Sequence, residues 1–265
     1  MKITFIGAGN MAEAIVSGIV KQGNIAPADI FVTDISEERL MHFSMKYGVS
    51  TSDDNAYPVS KSDVVVLAVK PQIFPTIWPE ILDALKPDAL IVSVMAGVPS
   101  KTIASGKPLR VVRVMPNTPA LIGMGAAGVA AGEFATEDDL NVAKQMMEAV
   151  GMAVVVDEEQ LHAVTAVSGS APAYIFYILE NMLAAAEQLG LEKEVARELA
   201  LATVAGAAEL MKQSGEEAAE LRKKVTSKGG TTAEAINTLI DRGVGESVIA
   251  AMQACATRSR ELADG

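Results

Sequence analysis

Six short runs of apolar, mostly β-branched residues recur through the first 157 residues and then stop. They are Ile3–Ile6, Ile30–Thr33, Val64–Val69, Leu90–Met95, Val111–Met115 and Met152–Val156. Each is continuous rather than alternating, so the strand it predicts is covered on both faces. The segments between them are long enough for helices. Strands of that kind, joined by right-handed crossovers, form a doubly wound α/β layer. From Glu158 onward the strand signal is gone. Ala, Leu, Glu and Met recur there at helical spacing, punctuated at Gly190, Gly215, Gly229-Gly230 and Gly243. The expected division is therefore an α/β domain over 1–157 and an all-α domain over 158–265.

Composition removes several classes of function. The chain of 265 residues carries a formal charge of −11, and no basic patch is interleaved with aromatics, so nucleic acid and acidic membrane surfaces are not expected partners. The N-terminus lacks the apolar run of a signal peptide, and no uninterrupted apolar stretch reaches transmembrane length. Cys255 is the only cysteine, which forbids an intramolecular disulfide and a thiolate metal cluster. A cytoplasmic location and no bound metal are expected. The apolar stripe Ala200–Ala208 suggests a helix covered on two sides, either inside the monomer or by a second subunit.

The first strand runs into Gly7-Ala8-Gly9-Asn10-Met11-Ala12 and then a helix. Gly7 permits a tight turn, Gly9 lets a pyrophosphate reach the backbone, and Ala12 is small enough for the helix to sit on the strand. The helix start offers unpaired N–H groups to phosphate. This is the pattern of a Rossmann-like dinucleotide-binding domain. Asp34 ends the second strand, where an acid accepts hydrogen bonds from the adenosine ribose; it is also placed to cap the helix starting near Ser36. Arg39 is the one cation nearby. Three more loops leave the carboxyl ends of strands at Ala68–Pro71, Ala96–Pro99 and Met115–Pro119.

Carbonyl reduction produces an alkoxide and calls for a His, Tyr or Lys acid. His42 falls near the adenosine end, His162 reads as a packed or solvated residue, and no Lys or Arg lies between Lys144 and Lys193. That spacing disfavours a β-hydroxyacid dehydrogenase. A C=N substrate relaxes the demand, because an imine is protonated beforehand and its product is an amine. Such a site has only to hold a small anion and exclude water. Thr226-Ser-Lys-Gly-Gly-Thr-Thr232 offers hydroxyls and bare backbone at a helix start, either as a carboxylate receptor or as a helix–helix turn.

The blocks "FIGAGNMAEAI", "AVKPQ", "RVMPNTPA", "AVSGSAPAYIF" and "VTSKGGTTAEAI" resemble, in order and over nearly the whole chain, the pyrroline-5-carboxylate reductase family. The resemblance implies NADPH- or NADH-dependent reduction of L-1-pyrroline-5-carboxylate to L-proline, the last step of proline synthesis. It implies that the all-α domain is a dimerisation domain, giving a homodimer or a larger ring. Carried over by motif, Gly7, Ala8, Gly9, Asn10 and Met11 hold the pyrophosphate, and Asp34 and Asn55 lie near the ribose. Ala68, Val69, Lys70, Ala96 and Asn117 line the path to the nicotinamide. Val225, Ser227, Gly229, Gly230, Thr231 and Thr232 hold the substrate, with Thr232 as the hydroxyl that orients the C=N group. Asp34 departs from relatives that use NADPH, and Lys228 stands where proline is common.

Overall fold

The computed structural model describes residues 1–264, which form two compact units: residues 1–172 together with 255 onward, and residues 173–254. In the first, the six expected strands are present as β1 (Ile3–Ile6), β2 (Ile30–Thr33), β4 (Val64–Leu67), β5 (Leu90–Ser93), β6 (Arg110–Met115) and β8 (Gly151–Val155). Two more were not anticipated, β3 (Ser50–Ser52) and β7 (Gly125–Ala131). The eight form one sheet in the order β3-β2-β1-β4-β5-β6-β7-β8. It is parallel from β3 to β6, as expected, but β7 pairs antiparallel with β6 and β8 runs parallel to β7. An all-parallel sheet is thus corrected at its last two strands.

Burial on both faces follows the pleat. Ile3, Phe5, Val64, Val66, Leu90, Val92, Val112 and Val114 join one apolar cluster. Their neighbours Ile6, Val65, Leu67, Ile91 and Val111 join another on the opposite face. Removing one such side chain from water on both sides stabilises by roughly 1.5–3 kcal/mol, which is why these strands hold no polar alternation. The first face is covered by helices α1 (Asn10–Gln22), α2 (Glu37–Tyr47) and α6 (Glu137–Glu148), which contribute Ile15, Val16, Ile19, Phe43, Met146 and Met147. The second face meets α3 (Ala56–Lys61), α4 (Phe74–Ala84) and α5 (Ser100–Ala104), with Val59, Trp78, Ile81 and Ile103 buried there. Trp78 also donates its indole N–H to Ser105 Oγ at 3.0 Å. Helix starts carry the expected chemistry: Ser36 accepts from Arg39 N, and Thr136 and Asp139 form a reciprocal capping box on α6.

The first unit continues through α7 (Leu161–Val164) and a five-residue π turn, Thr165–Gly169, into the start of α8 (Ala171–Gln188). A Cβ on Gly128 would come within 2.9 Å of Val164 Cγ1 and Cγ2, so β7 needs a residue this small where it meets α7.

The second unit holds the rest of α8, then α9 (Lys193–Ser214), α10 (Ala218–Lys224), α11 (Thr231–Asp241) and the first half of α12 (Val244–Asp264). The punctuating glycines fall at its helix breaks. Within it only Leu179, Ala196 and Ala200 are buried, while Ile175, Phe176, Ile178, Leu199, Leu201 and Leu210 are exposed. Beyond Ala200, most of the apolar stripe on α9 is not covered by the chain itself. A helical unit that buries so little of its own surface lacks a core sufficient to stand alone. Among the described residues, no helix is long and apolar enough to cross a membrane.

Candidate functional site

The glycine turn after β1 has a backbone no other residue would adopt. Gly7 sits at φ +100°, and a Cβ there would lie 2.8 Å from the Ala68 carbonyl oxygen. Its N–H donates to Thr33 O at 2.8 Å, which holds the turn against the end of β2. Gly9 is the N-cap of α1, with extended backbone, no side-chain cap and nothing within 4 Å of where its Cβ would stand. Ala12 is fully buried between helix and sheet. Gly7 and Gly9 thus present bare backbone to free space, beside the positive end of a helix whose first N–H groups have no helical partner.

That space is a cleft of about 460 Å³, lined by Ile6, Gly7, Gly9, Thr33, Asp34, Ile35, Asp53, Asn55, Ala68, Val69, Lys70, Ile73 and Ile77. It lies at the carboxyl ends of β1, β2 and β4, where the strand order reverses and open α/β sheets bind ligands. Of the expected residues, Gly7, Gly9, Asp34, Asn55, Ala68, Val69 and Lys70 line it. Ala8, Asn10, Met11, Ala96 and Asn117 are not among its lining residues. Ile35, Asp53, Ile73 and Ile77 were not foreseen. Ile35 follows Asp34 directly and is 96% exposed at the rim of the cleft.

Asp34 is fixed from two sides. Its Oδ2 accepts from Ala8 N at 2.7 Å and its Oδ1 from Ser36 N at 2.9 Å. Of the two roles open to Asp34, the cap of α2 belongs to Ser36. Each carboxylate oxygen keeps a second lone pair for an incoming donor. Asn55 accepts from Thr33 Oγ1 at 2.6 Å.

Behind the glycine turn, Glu13 on α1 gathers four donors from α2. Arg39 Nη2 reaches Oε2 at 2.7 Å; His42 Nε2, Lys46 Nζ and Tyr47 Oη reach Oε1 at 2.7, 3.0 and 2.9 Å. Burial alone would raise the Glu13 carboxyl, but these hydrogen bonds outweigh it and hold the group well below the usual carboxylate range. Arg39 Nε also donates to Ala8 O at 2.7 Å.

The loops after β5 and β6 are anchored elsewhere. A Cβ on Gly97 would meet Leu262 Cβ at 3.1 Å. Asn117, nearly buried, accepts from Ala126 N at 2.9 Å and donates to Ser168 O at 3.1 Å. Ser168 O is the oxygen that residue 172 would bond in a regular helix, and Pro172 has no N–H to give. Below them, buried Arg113 pairs with Glu158 at 3.1 Å, and Glu158 also accepts Ser100 N at 2.7 Å and Oγ at 2.5 Å. Burial raises the Glu158 carboxyl, and these partners bring it below its ordinary value. His162 is packed, with Nδ1 2.8 Å from Ser259 Oγ, and neither histidine lines the cleft.

The second group of expected residues lies in the helical unit. Val225 is the C-cap of α10, and Gly230, with extended backbone, is the N-cap of α11 with no side-chain cap. Thr231 and Thr232 are the first two helical residues. Glycine, not a threonine, caps this helix. Both hydroxyls are thereby spared from capping, at an end whose backbone N–H groups lack helical partners.

Comparison with known proteins finds matches over both parts of the chain. Residues 158–262 match the family model described as pyrroline-5-carboxylate reductase dimerisation, and residues 2–97 match NADP oxidoreductase coenzyme F420-dependent. Pyrroline-5-carboxylate reductase of Pseudomonas aeruginosa is 42% identical over 266 residues, covering 99% of this chain and 97% of the relative. The chain belongs to the pyrroline-5-carboxylate reductase family. A second reductase of that name from Bacillus subtilis is 40% identical across 98% of this chain and 95% of its own length. Among solved structures, a pyrroline-5-carboxylate reductase from Coxiella burnetii superposes with a TM-score of 0.92 at 43% identity, covering 98% of each chain. The Plasmodium falciparum pyrroline carboxylate reductase, solved with NADP bound, reaches 0.90 at 26% identity, covering 99% of this chain and 98% of its own. Likeness over both units to pyrroline-5-carboxylate reductases means that the sheet and the helical segment are inherited together.

Proposed function

We propose that this chain reduces L-1-pyrroline-5-carboxylate to L-proline at the expense of NADPH or NADH, the final step of proline biosynthesis. The observation that carries the reading is full-length identity of about two residues in five to reductases of that name. The glycine turn fits a dinucleotide on structural grounds: an uncapped helix start, a backbone kept bare by Gly7 and Gly9, and a cleft of about 460 Å³ beside them.

When bound, the nicotinamide supplies a hydride to the imine carbon. Gly7, Ala8, Gly9, Asn10 and Met11 hold the pyrophosphate through backbone N–H groups. Asp34 and Asn55 take the ribose, and the apolar side chains of Ile35 and Ile73 cover the adenine. Ala68, Val69, Lys70, Ala96 and Asn117 border the remainder of the coenzyme. Val225, Ser227, Gly229, Gly230 and Thr231 receive the substrate carboxylate at the start of α11, where helix N–H groups favour an anion. Thr232 accepts the N–H of the protonated ring nitrogen on its hydroxyl oxygen and orients the C=N face. Residues 1–157 form the coenzyme domain and 158–265 the dimerisation and substrate domain of a cytoplasmic homodimer or larger ring. The exposed apolar side chains of α8 and α9 support that self-association.

Purified protein, either coenzyme and racemic pyrroline-5-carboxylate test the reading. Nicotinamide absorbance should fall and proline should accumulate in equal amount; no loss of absorbance with either coenzyme refutes it.

A further inference from the structure

Arg39 lies in the first turn of α2, five residues after Asp34, where sequence alone would offer it to a phosphate on the adenosine ribose. Two of its guanidinium nitrogens are engaged elsewhere. Nε donates to the Ala8 carbonyl, Nη2 pairs with Glu13 at 2.7 Å, and the group lies 5.3 Å from the centroid of the buried Phe43 ring. Arg39 is not among the residues that line the cleft. Glu13 holds Lys46 and His42 on the same carboxylate, so one acid on α1 draws the basic face of α2 behind the glycine turn. The charged side chains left lining the cleft are Asp34, Asp53 and Lys70, with Lys70 following β4 rather than β2.

We propose that Glu13 is a positioning residue for coenzyme choice: by holding Arg39 away from the ribose it leaves Asp34 unopposed and biases the enzyme toward NADH over NADPH. This rests on the reading of the cleft as the coenzyme site. A ribose 2′-hydroxyl donates to Asp34, whereas a 2′-phosphate there meets two carboxylates and no guanidinium. The Ala8 peptide transmits the arrangement, since its N–H is bound by Asp34 and its carbonyl by Arg39. Replacing Glu13 by a neutral isostere removes one anchor of Arg39 and leaves Arg39 and Lys46 uncompensated.

The test measures dissociation constants of NADH and NADPH by nicotinamide fluorescence, and kcat/KM for each, in wild type, Glu13→Gln, Arg39→Gln and the double variant. Wild type should favour NADH. Glu13→Gln should raise the NADPH-to-NADH preference about tenfold, the scale of one charge-assisted contact. Arg39→Gln alone should leave that ratio within about twofold, and in the double variant the gain should vanish. A merely structural role for Glu13 would weaken both coenzymes together and leave the ratio flat, which would overturn the proposal. So would a wild-type preference for NADPH. If Glu13→Gln fails to fold, Arg39→Gln still decides: a selective loss of NADPH binding would show that Arg39 already meets the phosphate. Absence of binding by either coenzyme refutes the proposal with its premise, whereas coenzyme binding without turnover refutes only the imine-reductase reading.

Discussion

Asn117 Nδ2 donates to the Ser168 carbonyl at 3.1 Å, the oxygen that Pro172 leaves without a helical partner. The same side chain takes Ala126 N at 2.9 Å, so one amide joins the loop after β6, the strand β7 and the π turn before α8. Asn117→Ala should destabilise the protein by roughly 1–2 kcal/mol, because it strands a half-buried donor and a half-buried acceptor. In a Pro172→Ala background, residue 172 regains an N–H for Ser168, and the loss should shrink by about 1 kcal/mol. Chemical denaturation of the four proteins in the cycle measures this; strict additivity would show that the two sites do not share that oxygen.

Gly7→Ala combines a left-handed backbone with a Cβ 2.8 Å from Ala68 O. A loss of about 1–3 kcal/mol in stability is expected from the backbone alone. Coenzyme affinity should fall with it, since the turn must shift away from β4. Calorimetric unfolding and a fluorescence titration check the two effects; unchanged affinity would place the pyrophosphate elsewhere.

Thr232→Ala should lower kcat about 10–100-fold while the coenzyme dissociation constant stays within about twofold. Thr232→Ser, which keeps the hydroxyl, should recover most of the rate. Equal losses in both variants would mean the methyl group, not the hydroxyl, is what the substrate needs.

Glu158 has a folded-state pKa below its ordinary value, so it stabilises the fold fully above the pKa of an unfolded carboxylate, about 4.3. That contribution is lost as pH falls from there through the lower folded value. Denaturation between pH 6 and pH 3 should therefore show a steeper acid loss in wild type than in Glu158→Gln. Parallel curves would mean that the Arg113–Glu158–Ser100 clasp does not titrate with unfolding.

All six continuous β-branched runs were legible as strands, and burial on both faces holds for the inner ones; the sixth, β8, is a sheet edge whose Met152, Val154 and Val155 are exposed. β3 was not, since Ser50, Thr51 and Ser52 form a short polar edge held by Phe31 and Thr33 on its neighbour. β7 was hidden by its own packing: Gly125-Ala-Ala-Gly-Val-Ala-Ala131 reads as a poor strand, yet small residues are what α7 leaves room for. In the cleft, the glycines and Asp34 announce themselves because their chemistry is local. Asp53 and Ile73 come from separate segments gathered by strand order, so no spacing in the chain marks them. Arg39 was legible as a nearby cation but not as a captive one, because the acid that holds it lies on another helix. The two hydroxyls at the start of α11 were legible as a group; their freedom from capping was not, because Gly230 occupies the cap.

Trp78 is the chain's only tryptophan, and it sits on α4 next to Ile77, one of the side chains bordering the cleft. Its indole is almost fully shielded and tethered to Ser105, so its ultraviolet emission comes from a single fixed chromophore. The emission of that ring overlaps the absorption of a reduced nicotinamide. With the coenzyme seated in that cleft as proposed, quenching of Trp78 emission should report its occupancy without any label.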